Sequence, residues 1–406
     1  MSEKITVLYV GESDNNLLYQ KWADFFYNNG FNVILLGERK PHKKLPFKTF
    51  TFLNSRKEFV KKFILSLFDF VAWSKSFEYL KSLSFSKNSM KHFLYTIYAF
   101  SFVPEIQKIL KEEKVDIIHL HYGFQPLCLA FLKVKTNLPI IYSTWGSDIF
   151  KEPFRSKIRN LQIRSLMKKA RIIHTESEYQ KKHLIEKLKI DGRKIIVKSW
   201  GIEIDKLDKI RHDYNSLKWR HKFKIPEGAK VFISLRKLEK RYRINCIIEA
   251  FNVIKDENTF LIIGSFGSEF KNLRSLVKKL GLEKRVFFTG KLESEKEICE
   301  LIIDADFYIQ YPESDGVSQT LLMAMGLKRL CLSSAVGDNK LLLNDEFLVS
   351  NFSDLILKMK NLLNISRKRY YLLVEENYKM IKKYHSKKNF LDFWMQVYKD
   401  VRKIKK

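Results

Sequence analysis

The stretch ESDGVSQTLLMAMG (313–326) places an acid, a glycine and small polar residues directly before an apolar run of helical character. A strand-to-helix turn written this way can seat a phosphate, because the first amides of a helix lack intrahelical partners and its dipole favours an anion. Ser318 would cap the helix, and the amides of Val317, Ser318 and Gln319 would face the bound group. Asp315 would stand at the rim as a carboxylate for a bound sugar, and Gly316 would let the backbone approach closely. A generic turn before a buried helix is written with the same letters.

Other stretches carry comparable chemistry. SLRKLEKRYRI (234–244) offers Arg236 as a bidentate clamp for phosphate oxygens, with Lys240, Arg241 or Arg243 behind it. In so basic a chain, such residues also follow strands by chance. STWGSDIF (143–150) puts Gly-Ser-Asp, with Asp148, at a strand end. HLHYGF (119–124) sets His119 and His121 two apart, so that on a strand both point to one side. A third ligand at workable spacing is missing, and no metal site is expected. DAD (304–306) imitates the acid pair that holds a divalent cation, but it straddles a helix end and a strand start, where capping is the better reading. Nucleophilic hydrolysis finds no Gly-x-Ser-x-Gly elbow.

The elements that must position these residues are short β-branched and aromatic runs alternating with amphipathic segments. ITVLYV (5–10), NVILL (32–36), VDIIHLH (115–121), PIIYSTW (139–145), RIIHTE (171–176) and KIIVKSW (194–200) are the strand candidates of the first half. KVFISL (230–235), TFLIIG (259–264), RVFFTG (285–290), DFYIQYP (306–312) and RLCLSS (329–334) are those of the second. Strands alternating with helices predict an α/β architecture of two Rossmann-like domains, with parallel sheets facing a central cleft. The expected division is 1–205 and 206–385, with a C-terminal helix at 386–406 returning to the first domain. Ligands then belong beyond the C-terminal ends of the strands, where the candidate residues fall.

Residues 57–110 interrupt the alternation. Phe59, Phe63, Phe70, Trp73 and Phe77 fall at helical spacing with Leu67 filling the stripe, interleaved with Lys57, Lys61, Lys62, Lys75 and Lys81. Such a segment either lies on an anionic membrane or packs its aromatics onto the sheet. The C-terminal SKKNFLDFWMQVYKDVRKIKK poses the same choice.

Composition bounds the rest. A chain of 406 residues is too long for one core, and 45% hydrophobic with 14% aromatic content excludes wholesale disorder. The net charge of +30, from 75 Lys+Arg against 45 Asp+Glu, suggests an anionic partner. The basic residues run throughout rather than in a block, which disfavours a nucleic-acid arm. Cys128, Cys246, Cys299 and Cys331 form no C-x-x-C pair and read as buried thiols of a reducing compartment. The opening MSEKITVLYVGESDNN has an apolar run too short for a signal peptide, and no 18-residue span is uncharged, so a cytoplasmic protein is expected.

Taken in order, DIIHLHYGF, PIIYSTWGSDIF, KKARIIHTESEYQKKHL and IIVKSWGIEID resemble the N-terminal-domain motifs of the family-4 (group 1) glycosyltransferases of the GT-B fold. LRKLEKRYRINCIIEAF, FLIIGSFGSEFKNL, RVFFTGKL and DADFYIQYPESDGVSQTLLMAMG resemble that family's donor-binding domain. The resemblance implies that Arg236 binds the donor diphosphate and that Asp315 lies near the sugar's anomeric region. It implies that Gly316 and Val317 supply amides to phosphate and that Gly290 and Lys291 sit beside the base. His121 and Asp148 would face donor sugar and acceptor. It further implies transfer with retention and without metal or cofactor, the nucleotide-sugar being the donor substrate and its own phosphate helping to deprotonate the acceptor.

Two departures stand out. The family's ribose-binding glutamate falls on Met323, with no other carboxylate between Gly316 and Ala335, and its usual lysine after the arginine falls on Tyr242. Arg241 and Arg243 flank Tyr242, and either could stand in. After CLSS the acidic and glycine-rich segment is reduced to AVGDNKLLLND. The favoured reading is an active enzyme extending a cell-surface glycan on a glycan or lipid-linked acceptor, peripheral on the inner face of the cytoplasmic membrane. The alternatives are a non-catalytic member that scaffolds glycan assembly, and a nucleic-acid or acidic-membrane binder built on the fold.

Overall fold

The computed structural model describes residues 4–11, 17–41, 44–53, 56–82 and 86–403. The chain forms two compact units, Met1–Lys198 with Leu391–Lys406, and Ser199–Phe390.

In the first unit, β1 (Thr6–Gly11), β2 (Asn32–Arg39), β3 (Lys48–Leu53), β4 (Ile117–His121), β5 (Ile140–Ser143), β6 (Ile172–Thr175) and β7 (Ile195–Val197) build one sheet in the order β3-β2-β1-β4-β5-β6-β7. Every pairing is parallel. β1 and β4 are buried at every position, as strands covered on both faces must be.

The second unit repeats the plan with β8 (Lys230–Ser234), β9 (Thr259–Ile263), β10 (Val286–Phe288), β11 (Phe307–Gln310), β12 (Leu330–Ser334) and β13 (Leu348–Val349). Their order is β10-β9-β8-β11-β12-β13, again all parallel. Strand order reverses between β1 and β4 in one sheet and between β8 and β11 in the other. Such switch points open a crevice beyond the strand C-termini.

All the strand candidates of the sequence are strands, and the α/β architecture of two Rossmann-like parallel sheets is the observed one. Strands β3 and β13 were not anticipated. The segments 199–205 and 386–390 belong to the second unit because their backbones pair. Ile202 bridges Ser386, Ile202 N donates to His385 O at 2.8 Å, and Lys387 N donates to Ile202 O at 2.8 Å.

The aromatic segment divides. It breaks into helices Arg56–Ser66 and Phe70–Ser76, the second capped by Asp69, whose carboxylate accepts from Ala72 N at 2.9 Å. Phe59 and Phe63 pack on the Tyr98 ring, and Trp73 packs on Phe93. Phe70 and Phe77 are 80% and 54% exposed, and neighbouring Phe68 is 81% exposed. By contrast, the helix Lys387–Lys403 buries Phe390, Trp394, Tyr398 and Val401, so its apolar face is core. Three of the four cysteines are buried, while Cys246 is only half-buried. The acids of DAD act as braces: Asp304 accepts from Trp219 N at 2.7 Å and Asp306 from Val231 N at 2.8 Å.

Candidate functional site

Arg236 follows β8 and Asp315 follows β11, the two strands that flank the second unit's switch point. The Arg236 Nη2 lies 2.7 Å from Asp315 Oδ2, a charge contact between side chains that are 11% and 16% exposed. Its Nη1 donates to Ser318 Oγ. Ser318 also caps the helix Gln319–Gly326, accepting from Leu321 N at 3.3 Å. The first amide to bond inside that helix is Leu322 N, to Ser318 O, so the amides of Val317, Ser318 and Gln319 precede the ladder. Beside them Gly316 N donates to Asp315 Oδ1 at 3.1 Å.

Beneath this turn runs a chain of polar side chains. Ser318 Oγ meets Thr320 Oγ1 at 3.2 Å, Thr320 meets the Tyr308 hydroxyl at 2.8 Å, and that hydroxyl donates to Gln310 Oε1 at 3.3 Å. Gln310 Nε2 donates to Ser333 Oγ at 3.0 Å, and Asn339 Nδ2 donates to the same oxygen at 2.7 Å. Three loops, after β8, β11 and β12, are thereby fixed to one another. Gly337 closes the contact, because a Cβ there would sit 2.1 Å from Asp315 O and its φ of +54° disfavours side chains anyway.

The two flanking arginines part company. Arg243 donates from Nε to Tyr311 O and from Nη2 to Pro312 O, each at 3.0 Å, and so braces the exit of β11. Arg241 is more than half exposed, pairs with Glu239 at 3.1 Å and rests on the Tyr242 ring. Met323 is half-buried on the helix and packs against the unit's hydrophobic core, as does Val317. Gly290, at φ +74°, and the exposed Lys291, paired with Glu293 at 3.0 Å, follow β10. That strand lies two places from β8, on the order of 10 Å away at ordinary strand spacing.

In the first unit, His121 ends β4 and Asp148 sits on the turn after β5, both fully buried. Trp145 links them: its indole Nε1 donates to His121 Nδ1 at 3.1 Å and its backbone N to Asp148 Oδ1 at 2.9 Å. Burial pushes the Asp148 carboxyl up to about 6, against the opposing bond from Trp145 N. His119 bonds the Tyr398 hydroxyl and Ser143 Oγ, each at 2.7 Å, and Ser143 bonds His174 Nδ1 at 3.0 Å. Burial holds all three histidines below the ordinary imidazole range, His174 at about 4.

Of the residues marked in the sequence, Arg236, Asp315, Gly316 and Ser318 converge, Arg241 joins them through Tyr242, and Gly290 and Lys291 lie along the same sheet edge. The sequence reading missed Thr320, Tyr308, Gln310, Ser333 and Asn339. The signal for Gln310 was a polar residue in an otherwise apolar strand, buried within DFYIQYP. His174 and Trp145 were missed likewise, although each stands within a strand candidate.

The group 1 glycosyl transferase model matches residues 215–383, and the glycosyl transferase 4-like model matches residues 6–177. Each unit thus carries a glycosyltransferase-family domain, group 1 in the second and 4-like in the first. This glycosyltransferase is 25% identical over 254 residues to the N-acetyl-alpha-D-glucosaminyl L-malate synthase of Bacillus anthracis, a match covering 62% of the chain. The matched region spans 64% of that synthase. Among solved structures, a glycosyltransferase from Rickettsia africae is similar at TM-score 0.71 and 15% identity, covering 98% of this chain and 99% of that one. Anabaena HepE in complex with UDP is similar at TM-score 0.69 and 12% identity, covering 97% and 100%. These likenesses place the glycosyltransferase in the GT-B fold.

Proposed function

We propose that this chain transfers a sugar from a nucleotide-sugar to a glycan or lipid-linked acceptor, with retention and without a metal ion. The observation that carries the reading is the convergence of Arg236, Asp315 and the capped helix at the β8/β11 switch point. Arg236 and the amides before Gln319 would hold the donor diphosphate and stabilise it as it departs. The phosphate itself would take the acceptor's proton, and Asp315 would meet the sugar. Gly290 and Lys291 would border the base, and His121 and Asp148 would serve sugar and acceptor. HepE, solved with UDP, supports a nucleotide donor.

The exposed Phe68, Phe70 and Phe77, in a segment that also carries Lys57, Lys61, Lys75 and Lys81, support a peripheral place on an anionic membrane, which would suit a cell-surface glycan as product. Among the described residues no helix is long and apolar enough to cross a membrane.

Met323 favours one other reading, a member that binds or scaffolds without catalysis. Thermal stabilisation by a panel of UDP-, GDP-, ADP- and CMP-sugars separates the two. A ligand at a hundred times its dissociation constant adds about 2.7 kcal/mol, so the donor reading expects a clear melting shift with one nucleotide family. No shift at millimolar concentrations overturns it in favour of the scaffold.

A further inference from the structure

Tyr242 stands beside two guanidinium groups at once. Its ring centroid lies 4.5 Å from Arg236 Cζ and 4.6 Å from Arg241 Cζ, and the residue is buried. Each arginine also holds a carboxylate, Asp315 for Arg236 and Glu239 for Arg241. Along Glu239, Arg241, Tyr242, Arg236 and Asp315, two ion pairs therefore flank one aromatic ring, with both cations turned toward it. Two guanidiniums brought this close repel each other, and the negative face of an aromatic ring attracts each of them.

The backbone around Tyr242 is fastened on both sides. Tyr242 N bonds Glu239 O at 2.9 Å, closing a tight turn. Glu313 N bonds Arg241 O at 2.8 Å, and Arg243 grips Tyr311 O and Pro312 O. The segment that carries Arg241 and Tyr242 is thus fastened to the loop that carries Asp315.

We propose that Tyr242 is a positioning residue that sets Arg241 beside Arg236, so that two cations together seat the two phosphates of a nucleoside diphosphate. The inference rests on the nucleotide-sugar reading and deepens it. A lone Arg236 already engaged by Asp315 and Ser318 offers one fork, whereas a diphosphate presents two anionic groups. Arg241, at the surface end of the ladder, supplies the second fork. The tyrosine standing at the family's lysine position in this way replaces one cation by a platform for another.

The test is calorimetric titration of UDP, GDP, ADP and the matching nucleosides into the wild type and into Arg236→Ala, Arg241→Ala, Tyr242→Phe, Tyr242→Leu and the Arg241→Ala/Tyr242→Leu double variant. Arg241→Ala and Tyr242→Leu should each weaken the preferred diphosphate about tenfold and leave the nucleoside unchanged. Tyr242→Phe, which keeps the ring, should stay close to wild type. The double variant should be no weaker than the stronger single, because both remove one coupled interaction. Losses that multiply in the double variant, or equal losses for nucleoside and diphosphate, overturn the inference. Arg241 is exposed, so its variant is expected to fold, and unchanged diphosphate affinity there is also decisive against it. If the wild type binds a diphosphate and Arg236→Ala loses it while the Tyr242 and Arg241 variants do not, the inference falls and the donor reading stands. If the wild type binds none of the diphosphates, both fall.

Discussion

Asp315 closes on Arg236 at 2.7 Å across the β8/β11 switch point, both side chains being largely buried. In the proposed enzyme this carboxylate competes with the donor diphosphate for the same guanidinium. Asp315→Asn should therefore tighten binding of the free nucleoside diphosphate several-fold while turnover collapses. The unliganded protein should also lose about 1–3 kcal/mol, since a buried cation is left without its partner. Titration, a transfer assay and a melting curve read the three effects. A variant with weaker diphosphate binding would exclude the competition.

Arg236→Ala removes the cation instead. The expectation is a loss of roughly 1.5–3 kcal/mol in diphosphate binding, about ten- to a hundredfold, with little change for the nucleoside. Equal losses for both ligands would remove Arg236 from the phosphate.

These residues were legible because each is a charged or small residue at the end of a strand whose apolar run is unambiguous. The ring beneath two arginines was not legible, since tyrosine after a basic run carries no signal until φ, ψ and rotamer place it. The fold divides in the same way. KTFTFL, strand β3, alternates polar with half-buried aromatic residues at a sheet edge, and Leu348–Val349 is too short to carry any period. The stripe through 57–81 kept its helical period, but a turn capped by Asp69 rotates its second half, so Trp73 packs inward while Phe68 and Phe70 face solvent.

Those two phenylalanines make the membrane proposal measurable. Burying a phenylalanine side chain stabilises by about 1.5–3 kcal/mol, so Phe68→Ser with Phe70→Ser should cut co-sedimentation with anionic vesicles at least tenfold. Replacing Lys57, Lys61, Lys75 and Lys81 by glutamine should remove about 1 kcal/mol each and abolish the preference for anionic over neutral lipid. Unchanged binding in both sets would confine this surface to another role.

Acid should destabilise the first unit. His119, His121 and His174 are held neutral by burial, so the unfolded chain, with imidazoles near 6.5, binds more protons below that pH. Their stabilisation is present above about pH 6.5 and is lost as pH falls toward 4, with His174 alone accounting for about 3 kcal/mol. Asp148 works the other way. Its folded value of about 6 exceeds the unfolded 3.8, so between those values the native state takes up a proton and one histidine is offset. Denaturant midpoints measured from pH 7.5 to 5 should fall steeply, and His174→Gln should flatten the slope by about one proton. An unaltered slope in that variant would rule out its titration as a cause.

Met323 poses the question that the sequence leaves open, and a single substitution addresses it. The side chain is half-buried on the helix whose first turn meets Arg236, and no charge is lost by its removal. If the ribose of the donor lies against this helix, Met323→Glu supplies hydroxyl-binding oxygens and should tighten ribonucleotide binding about ten- to a hundredfold. A 2′,3′-dideoxy nucleoside diphosphate, lacking those hydroxyls, should gain nothing. The carboxylate's cost in folding stability is bounded because the position is only partly buried, and a melting curve separates that loss from any effect on affinity. Equal changes for the two nucleotides would place the ribose elsewhere, and Met323 would then be a packing residue of the second unit's core.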